Sequence, residues 1–348
     1  MAKYRFDQVA RECRTTFKGD KNGMPIVGLE HIVPNEMLVR DFEVDSENTF
    51  TKSFKQGQIL FGRRRAYQQK AGVAQFDGIC SGDITVIEAI PGKIEPNLLP
   101  FIVQNEQFFE HAVQGSAGSL SPRVKWEHLA SYEIELPTME KQRVLADKLW
   151  TAYRLKESYK KLLAATDEMV KSQFIEMVGD LPKNGTLSDY CEMKAGKSIK
   201  SDSINSQYND GLYPCYGGNG LRGYVETYSH DGVYNIIGRQ GALCGNITLT
   251  KGKFYATEHA IVVRPQTPIN EYWLYFALAQ MNLNQYARGV AQPGLAVKQL
   301  EKLPFGIPSK GKQEKFAAVY QQADKSKFEL RKSIEAIDRV IKSLINNV

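Results

Sequence analysis

A chain of 348 residues is long enough for two hydrophobic cores, and it holds no apolar run near the ~18 residues that would cross a membrane. Its net charge of +6 permits a nucleic-acid partner without requiring one. The five cysteines contain no Cys-x-x-Cys pair and the five histidines are dispersed, which argues against a disulfide framework or a zinc centre.

The first residues lack the apolar stretch of a secretion signal, so a cytoplasmic protein is expected. Residues 2–137 read as a mixed α+β region, with short strand-like runs at 58–61 and 83–87 and a helical piece at 98–113. Between Thr51 and Phe76 there is no acidic residue, but there are six basic ones: Lys52, Lys55, Arg63, Arg64, Arg65 and Lys70. A strand reaches Gly62, after which Arg63, Arg64 and Arg65 fan out as a loop with Tyr67, Gln68, Gln69 and Lys70. Arginine offers a planar fork that matches phosphate or a guanine edge, and glutamine can pair with adenine in the major groove. The candidate DNA contacts here are Lys55, Arg63, Arg64, Arg65, Tyr67, Gln68 and Lys70; a solvated basic loop is the competing reading.

Residues 126–137 alternate apolar and polar positions and end at Pro137, as a half-buried strand does. A long helix is expected over 141–178, without internal proline or glycine. Its seam is Leu145, Leu149, Ala152, Tyr159, Leu163, Thr166, Val170 and Met177, in alternating steps of four and three, broken by Lys156. At ~1.5 Å per residue, about 35 residues span roughly 50 Å, which suits a spacer better than one small core. A turn-rich junction containing Gly179, Asp180, Pro182 and Gly185 follows.

A second mixed region then runs over 181–308, with strand-like runs at 234–237 and 260–263 and a helical piece at 270–282. Ala195-Gly196-Lys197-Ser198 resembles the end of a phosphate-binding loop, but that motif needs glycine at position 191, which is Cys; nucleotide hydrolysis is rejected. Lys197 stays a candidate DNA contact. The loop over 213–224 mixes glycines with Tyr216, Asn219 and Arg222, where a close backbone approach to a partner and a simple tight turn are both open. Gly238-Arg239-Gln240-Gly241 aligns its first two residues with Gly62 and Arg63, which adds Arg239 and Gln240 to the candidates. Thr257-Glu258-His259 has no identifiable catalytic partner and reads as a structural hydrogen-bonding group. A second long helix is expected over 312–346, with a seam of Phe316, Tyr320, Ala323, Leu330, Ile334, Ile337, Ile341 and Leu344 broken by Lys327.

The chain repeats itself. Leu129 and Leu300, Ile134 and Phe305, Leu136 and Ile307, Pro137 and Pro308, Gln142 and Gln313, Lys156 and Lys327, and Asp167 and Asp338 are all separated by 171 positions. Phe6-Asp-Gln-Val-Ala and Leu187-Ser-Asp-Tyr-Cys form matching entries at an offset of 181, so the mixed regions differ by insertions while the helices do not. The expected division is 1–137, a first mixed domain; 138–180, a first spacer helix; 181–308, a second mixed domain; and 309–348, a second spacer helix. No Asp/Asn-Pro-Pro-aromatic methyltransferase motif, glycine-rich cofactor loop or nuclease carboxylate cluster stands out. No catalysis, cofactor or metal is therefore expected.

The duplicated layout, the strand ending in Pro137 or Pro308 before a Gln-containing helix, Gly238-Arg239-Gln240-Gly241, Tyr255-Ala-Thr-Glu-His259-Ala and Gln292-Pro-Gly-Leu-Ala-Val-Lys298-Gln-Leu300 together resemble the specificity subunit of type I restriction–modification systems, over essentially the full length. The resemblance implies two tandem target recognition domains of mixed α and β structure, separated by two long helices forming an antiparallel coiled coil. It implies that each domain reads one half of a split, asymmetric site in double-stranded DNA. It further implies docking of methyltransferase subunits, two of them, and through these of restriction/translocase subunits, with S-adenosylmethionine chemistry left to the partners. This chain is short for the family, mainly in its recognition regions. The competing readings are a free-standing DNA-binding repressor or scaffold, and a fragment of a methylase or nuclease that acts on DNA directly.

Overall fold

The computed structural model describes residues 2–45, 47–179, 181–241, 243–289 and 293–346; Asp180 of the junction and Gln292 lie outside the described residues. The chain divides into two compact units, Met1–Lys161 with Arg331–Val348, and Leu162–Leu330, so each takes a part of both long helices.

The first unit opens with β1 (Ala2–Arg5), β2 (Ala10–Glu12), β3 (Ile26–Val27), β4 (Leu38–Val39), β5 (Lys52–Phe54), β6 (Ile59–Gly62), β7 (Ala71–Ala74), β8 (Gly78–Cys80) and β9 (Ile84–Ala89). It continues with α1 (Leu99–Val103), α2 (Glu106–Gln114), β10 (Ser116–Ala117), β11 (Arg123–Val124), α3 (Trp126–Ala130), β12 (Glu133–Leu136) and the start of α4 (Met139–Val178). One sheet has the order β2-β9-β6-β7-β4 and a smaller one β3-β8-β5. β6 is buried along its whole length. Ile59 and Phe61 join a core with Phe101 and Phe108, and Leu60 joins another with Val27 and Phe54. Burial on both faces explains an unbroken apolar run where one-sided burial would leave alternation. The helical piece expected over 98–113 is two helices, because Asn105 caps α2 by accepting from the Gln107 N–H at 3.2 Å.

The second unit contains β13 (Gly185–Thr186), α5 (Leu187–Tyr190), β14 (Cys191–Ala195), β15 (Tyr213–Gly217), β16 (Gly220–Val225), β17 (His230–Asp231), β18 (Tyr234–Gly238), β19 (Ile247–Thr250), β20 (Lys253–Ala256) and β21 (Ala260–Pro265). Then come α6 (Glu271–Gln280), α7 (Val297–Leu300), β22 (Pro304–Phe305) and α8 (Lys310–Ile345). Its sheets run β14-β21-β18-β19 and β16-β15-β20-β17.

The two units share a topology. Antiparallel β2-β9-β6-β7 corresponds to antiparallel β14-β21-β18-β19. In the smaller sheets, β3 runs parallel to β8 as β15 does to β20, and β5 and β17 each close the far side antiparallel. β1 with β12 corresponds to β13 with β22, and Phe6 and Leu187 send their N–H groups to the carbonyls of Tyr132 and Leu303. The additions differ. β4 extends the first large sheet, whereas β16 folds back on β15 as a hairpin, which is where the glycine-rich stretch of 213–224 lies.

α4 and α8 pack together antiparallel. In the first unit early α4 meets late α8, with Leu149 and Tyr153 in one cluster with Ile341 and Ile345. In the second, Phe174 of late α4 lies 5.1 Å, centroid to centroid, from Phe316 of early α8. Every residue of both expected seams is buried or half-buried. The two lysines that break them answer each other. Lys156 Nζ lies 2.6 Å from Asp338 Oδ1, and Lys327 Nζ 2.6 Å from Asp167 Oδ1. The lysine stems cover apolar seam while the charges find a partner at its margin.

A buried glutamine fastens each helix start to its own unit. Gln142 Nε2 donates to the Pro137 carbonyl at 2.9 Å, and Gln142 Oε1 accepts from the Glu95 N–H at 2.9 Å. Gln313 does the same with the Pro308 carbonyl and the Asn270 N–H, both at 2.9 Å. Backbone polar groups left unpaired at these buried junctions would be costly.

Candidate nucleic-acid interface

Most of the candidate residues lie on or beside two hairpin tips of equal length, residues 63–70 between β6 and β7 and 239–246 between β18 and β19, while Lys55 lies at the opposite end of β6. Among the described residues the same backbone hydrogen bonds close both tips. Gly62 N–H donates to Lys70 O at 2.8 Å and Gly238 N–H to Asn246 O at 2.9 Å. Arg63 N–H donates to Asp83 O at 2.9 Å, and Arg239 N–H to His259 O at 2.8 Å. Each arginine carbonyl then accepts from the strand or loop beyond, from Val124 N–H at 2.9 Å and Leu295 N–H at 2.8 Å. A side chain at Gly238 would run into the Gly218 carbonyl, so glycine is required there by close packing. Arg65 (φ 54°) and Gln69 (φ 53°) are left-handed where the second tip has Gly241 (φ 95°) and Gly245 (φ 89°). The first tip therefore holds two side chains in a strained conformation that glycine adopts freely.

At the first tip, Arg123 grips Asp83 through two hydrogen bonds of 2.6 and 3.2 Å. Arg64 Nη1 lies 3.5 Å from the same carboxylate while its Nη2 donates to Ser121 Oγ at 3.0 Å. The hydrogen bond from Arg123 holds the Asp83 carboxyl below its ordinary range against the effect of burial, and the charges of Arg123, Arg64 and Arg63 add to it. The Nε atoms of Arg63, Arg64 and Arg65 are buried without a partner among the described residues. Arg63 lines a cleft of about 750 Å³ with Lys52, Lys125, Glu12 and Asp83. Tyr67 and Gln68 are exposed on the turn. Two expected contacts are engaged within the fold: Lys70 Nζ donates to the Leu29 carbonyl at 2.6 Å, and exposed Lys55 pairs with Asp77 at 2.8 Å.

At the second tip, Asn219, Arg222 and Gln240 line one pocket of about 310 Å³ together with His259. Arg222 Nη2 donates to Ser201 Oγ at 3.0 Å, and Arg239 Nη1 to the Glu258 carbonyl at 3.3 Å. Exposed Lys197 and half-buried Tyr216 do not line this pocket. Their backbones flank the 256–257 turn, through Lys197 N–H to Ala256 O at 3.0 Å and Thr257 N–H to Tyr216 O at 2.9 Å. The Tyr216 ring packs edge-on against Phe254, and burial pushes its phenol up from the ordinary value.

His259 lines the pocket as well as holding the turn, where its N–H donates to Thr257 Oγ1 and its carbonyl accepts from Arg239. The signal was present in the sequence. Counting from Gly62 and Gly238, separated by 176 positions, Asp83 falls on His259.

Among the described residues no group of three or more His, Cys, Asp and Glu could hold a metal ion. All five cysteines are free thiols, and burial pushes Cys80 and Cys191 up to about 12, far from a reactive thiolate. No helix among the described residues is long and apolar enough to cross a membrane.

A family model for the type I restriction modification DNA specificity domain matches residues 8–165 and again 182–338. The chain is 46% identical over 166 residues to the type I restriction enzyme EcoprrI specificity subunit of Escherichia coli. That match covers 47% of this chain and 40% of the relative, so the chain spans about two fifths of that protein's length. The S subunit of a type I restriction-modification system from M. genitalium shares the fold with a TM-score of 0.67 at 14% identity, over 99% of this chain and 94% of that one. A chain from a structure of the type I R-M system aligns with a TM-score of 0.54 at 17% identity, over 99% and 96%.

Proposed function

The chain belongs to the type I restriction modification DNA specificity family, and from that premise we propose that it is the non-catalytic subunit that gives a restriction–modification complex its DNA sequence choice. Each unit binds one half of a bipartite, asymmetric site in double-stranded DNA through its hairpin tip and the loops beside it. The observation that carries this reading is one hairpin backbone built twice with unlike side chains: Arg63-Arg64-Arg65 at one tip, Arg239-Gln240-Gly241 at the other. A shared frame with different contents is what two half-sites of unrelated sequence require, because phosphate contacts position a protein while base contacts specify.

The candidate contacts are Lys55, Arg63, Arg64, Arg65, Tyr67, Gln68 and Lys70 in the first unit, and Lys197, Tyr216, Asn219, Arg222, Arg239 and Gln240 in the second. α4 and α8 set the distance between half-sites and dock two methyltransferase subunits, through which restriction/translocase subunits join. Methyl transfer belongs to those partners, and the complex works in the cytoplasm.

The test is a methyl-transfer assay on duplex DNA with the full chain, with and without a co-purified DNA methyltransferase. Transfer is expected only when both are present, and only on duplexes that carry two separated half-sites. Transfer by the chain alone, or binding without sequence preference, overturns the proposal. Insertion of one helical turn into α4, with a matching turn in α8, is expected to change the gap between half-sites and leave the half-sites themselves.

A further inference from the structure

At or beside the two tips, three positions that the backbone places in the same geometry carry unlike side chains. Arg64 forms an isolated antiparallel bridge with Arg123, and Gln240 forms the same bridge with Gly294. Asp83 and His259 each accept, through the backbone carbonyl, from the arginine that follows the strand-ending glycine. Arg65 and Gly241 each donate to a proline carbonyl just before the bridging residue, Pro122 at 2.8 Å and Pro293 at 3.0 Å. Arg64, Asp83 and Arg123 in the first unit thus correspond to Gln240, His259 and Gly294 in the second.

The contents are chemically opposite. The first set is two guanidinium groups around one carboxylate, with Arg64 held by Asp83 and Ser121 so that its fork has a fixed plane. With Nε buried, one Nη facing Asp83 and the other donating to Ser121, Arg64 keeps the remaining N–H of each Nη, two donors that match the N7 and O6 acceptors of guanine. In the second set Gly294 has no side chain, Gln240 lines the pocket, and His259 has Nε2 3.4 Å from Glu258 Oε1 while its Nδ1 is buried without a partner among the described residues. What results is an uncharged amide at the rim of a pocket, free to offer one acceptor and one donor. That pattern matches N6 and N7 of adenine.

We propose that these three positions form the specificity-determining set of each unit, with Arg64 reading a guanine in one half-site and Gln240 reading an adenine in the other. Asp83 is a positioning residue for Arg64. The inference rests on the DNA-specificity reading above and adds which side chains choose the base.

The test is enrichment from a pool of randomised duplex DNA by the full chain, followed by sequencing, with wild type beside Arg64→Gln, Arg64→Lys and Gln240→Arg. Wild type is expected to enrich a two-part motif. Arg64→Gln is expected to lose preference for guanine at one position of one half-site by roughly 5- to 150-fold, the worth of one good bidentate pair. The other half-site stays unchanged. Gln240→Arg is expected to replace adenine by guanine in the second half-site alone. Arg64→Lys keeps the charge and loses the fork, so it is expected to bind DNA while losing the guanine preference. Thermal unfolding of each variant shows whether it is folded, and the two half-sites act as internal controls for each other.

Folded variants that leave both half-motifs intact overturn the inference and spare the broader proposal, and so do variants that weaken binding equally on every sequence. A wild-type chain that enriches no motif defeats the broader proposal itself, and this inference with it.

Discussion

The first unit fills its hairpin tip with charge, and the second leaves it open. Arg63, Arg64 and Arg123 crowd around Asp83, whereas Arg239 stands among Gln240, Gly241, His259 and Gly294 on the corresponding backbone. The strand order, the bridge and the helix anchor are retained while side chains at the tip are exchanged. On the proposed function, fold and specificity are carried by different residues. The frame depends on backbone hydrogen bonds and buried apolar faces, which are indifferent to what projects from the tip.

The comparison can be broken most sharply at the charged tip. Replacing Arg63, Arg64 and Arg65 together by alanine is expected to lower DNA affinity at least about 10-fold, the scale of losing charged hydrogen bonds. It is also expected to flatten the dependence of log affinity on log salt by about 0.9 for each phosphate that is no longer neutralised. Arg239→Ala is expected to flatten it less. An unchanged slope in the triple variant, measured by titration across salt concentrations, would remove phosphate binding from the first tip.

The helix anchors come next in size. Gln142→Ala and Gln313→Ala each orphan two buried backbone groups, a proline carbonyl and an N–H. Each is expected to cost about 1–3 kcal/mol in denaturant unfolding. Similar losses support equivalence of the two junctions; a loss at one alone shows that the duplication there is only formal.

Backbone strain offers a smaller and opposite pair. Arg65→Gly relieves a left-handed residue and is expected to stabilise the protein by up to about 1 kcal/mol while weakening DNA binding, whereas Gly241→Ala is expected to destabilise it by about as much. A stability–function trade at position 65 would show that the strain is retained for the side chain it presents.

The smallest effect is in pH. Asp83 is held below its ordinary carboxyl range, first by the hydrogen bond from Arg123. A lowered folded value means that its contribution is present above the unfolded pKa of about 3.9 and is lost as pH falls through the folded value. The stability gap between wild type and Asp83→Asn is therefore expected to be constant near neutrality and to close below about pH 4. A gap that widens on acidification would contradict the Arg123–Asp83 pairing.

Much of this was legible in the sequence because local periodicity and repetition carry it. The seams of α4 and α8 follow from steps of four and three, and the shared offset of Gln142, Lys156 and Asp167 with their counterparts marks the duplication. The lysines read as interruptions because a seam is a pattern within one helix; their aspartates lie on the other helix, at a separation that one-dimensional spacing does not reveal. The Gly-Arg pair at each tip was also visible, since glycine after a strand is a local signal.

What the sequence by itself determined is the paired architecture and the place where side chains vary. What only the tertiary structure decided is which partner each of those side chains holds within the fold. Lys55, Lys70 and Arg64 look equally available by residue type, yet Lys55 pairs with Asp77, Lys70 Nζ donates to the Leu29 carbonyl, and Arg64 is held between Asp83 and Ser121. His259 enters the site because its carbonyl accepts the Arg239 N–H, as the Asp83 carbonyl accepts that of Arg63. The physical reason is that charge and composition are properties of a residue, while hydrogen-bond occupancy is a property of its neighbours, and those neighbours come from distant parts of the chain.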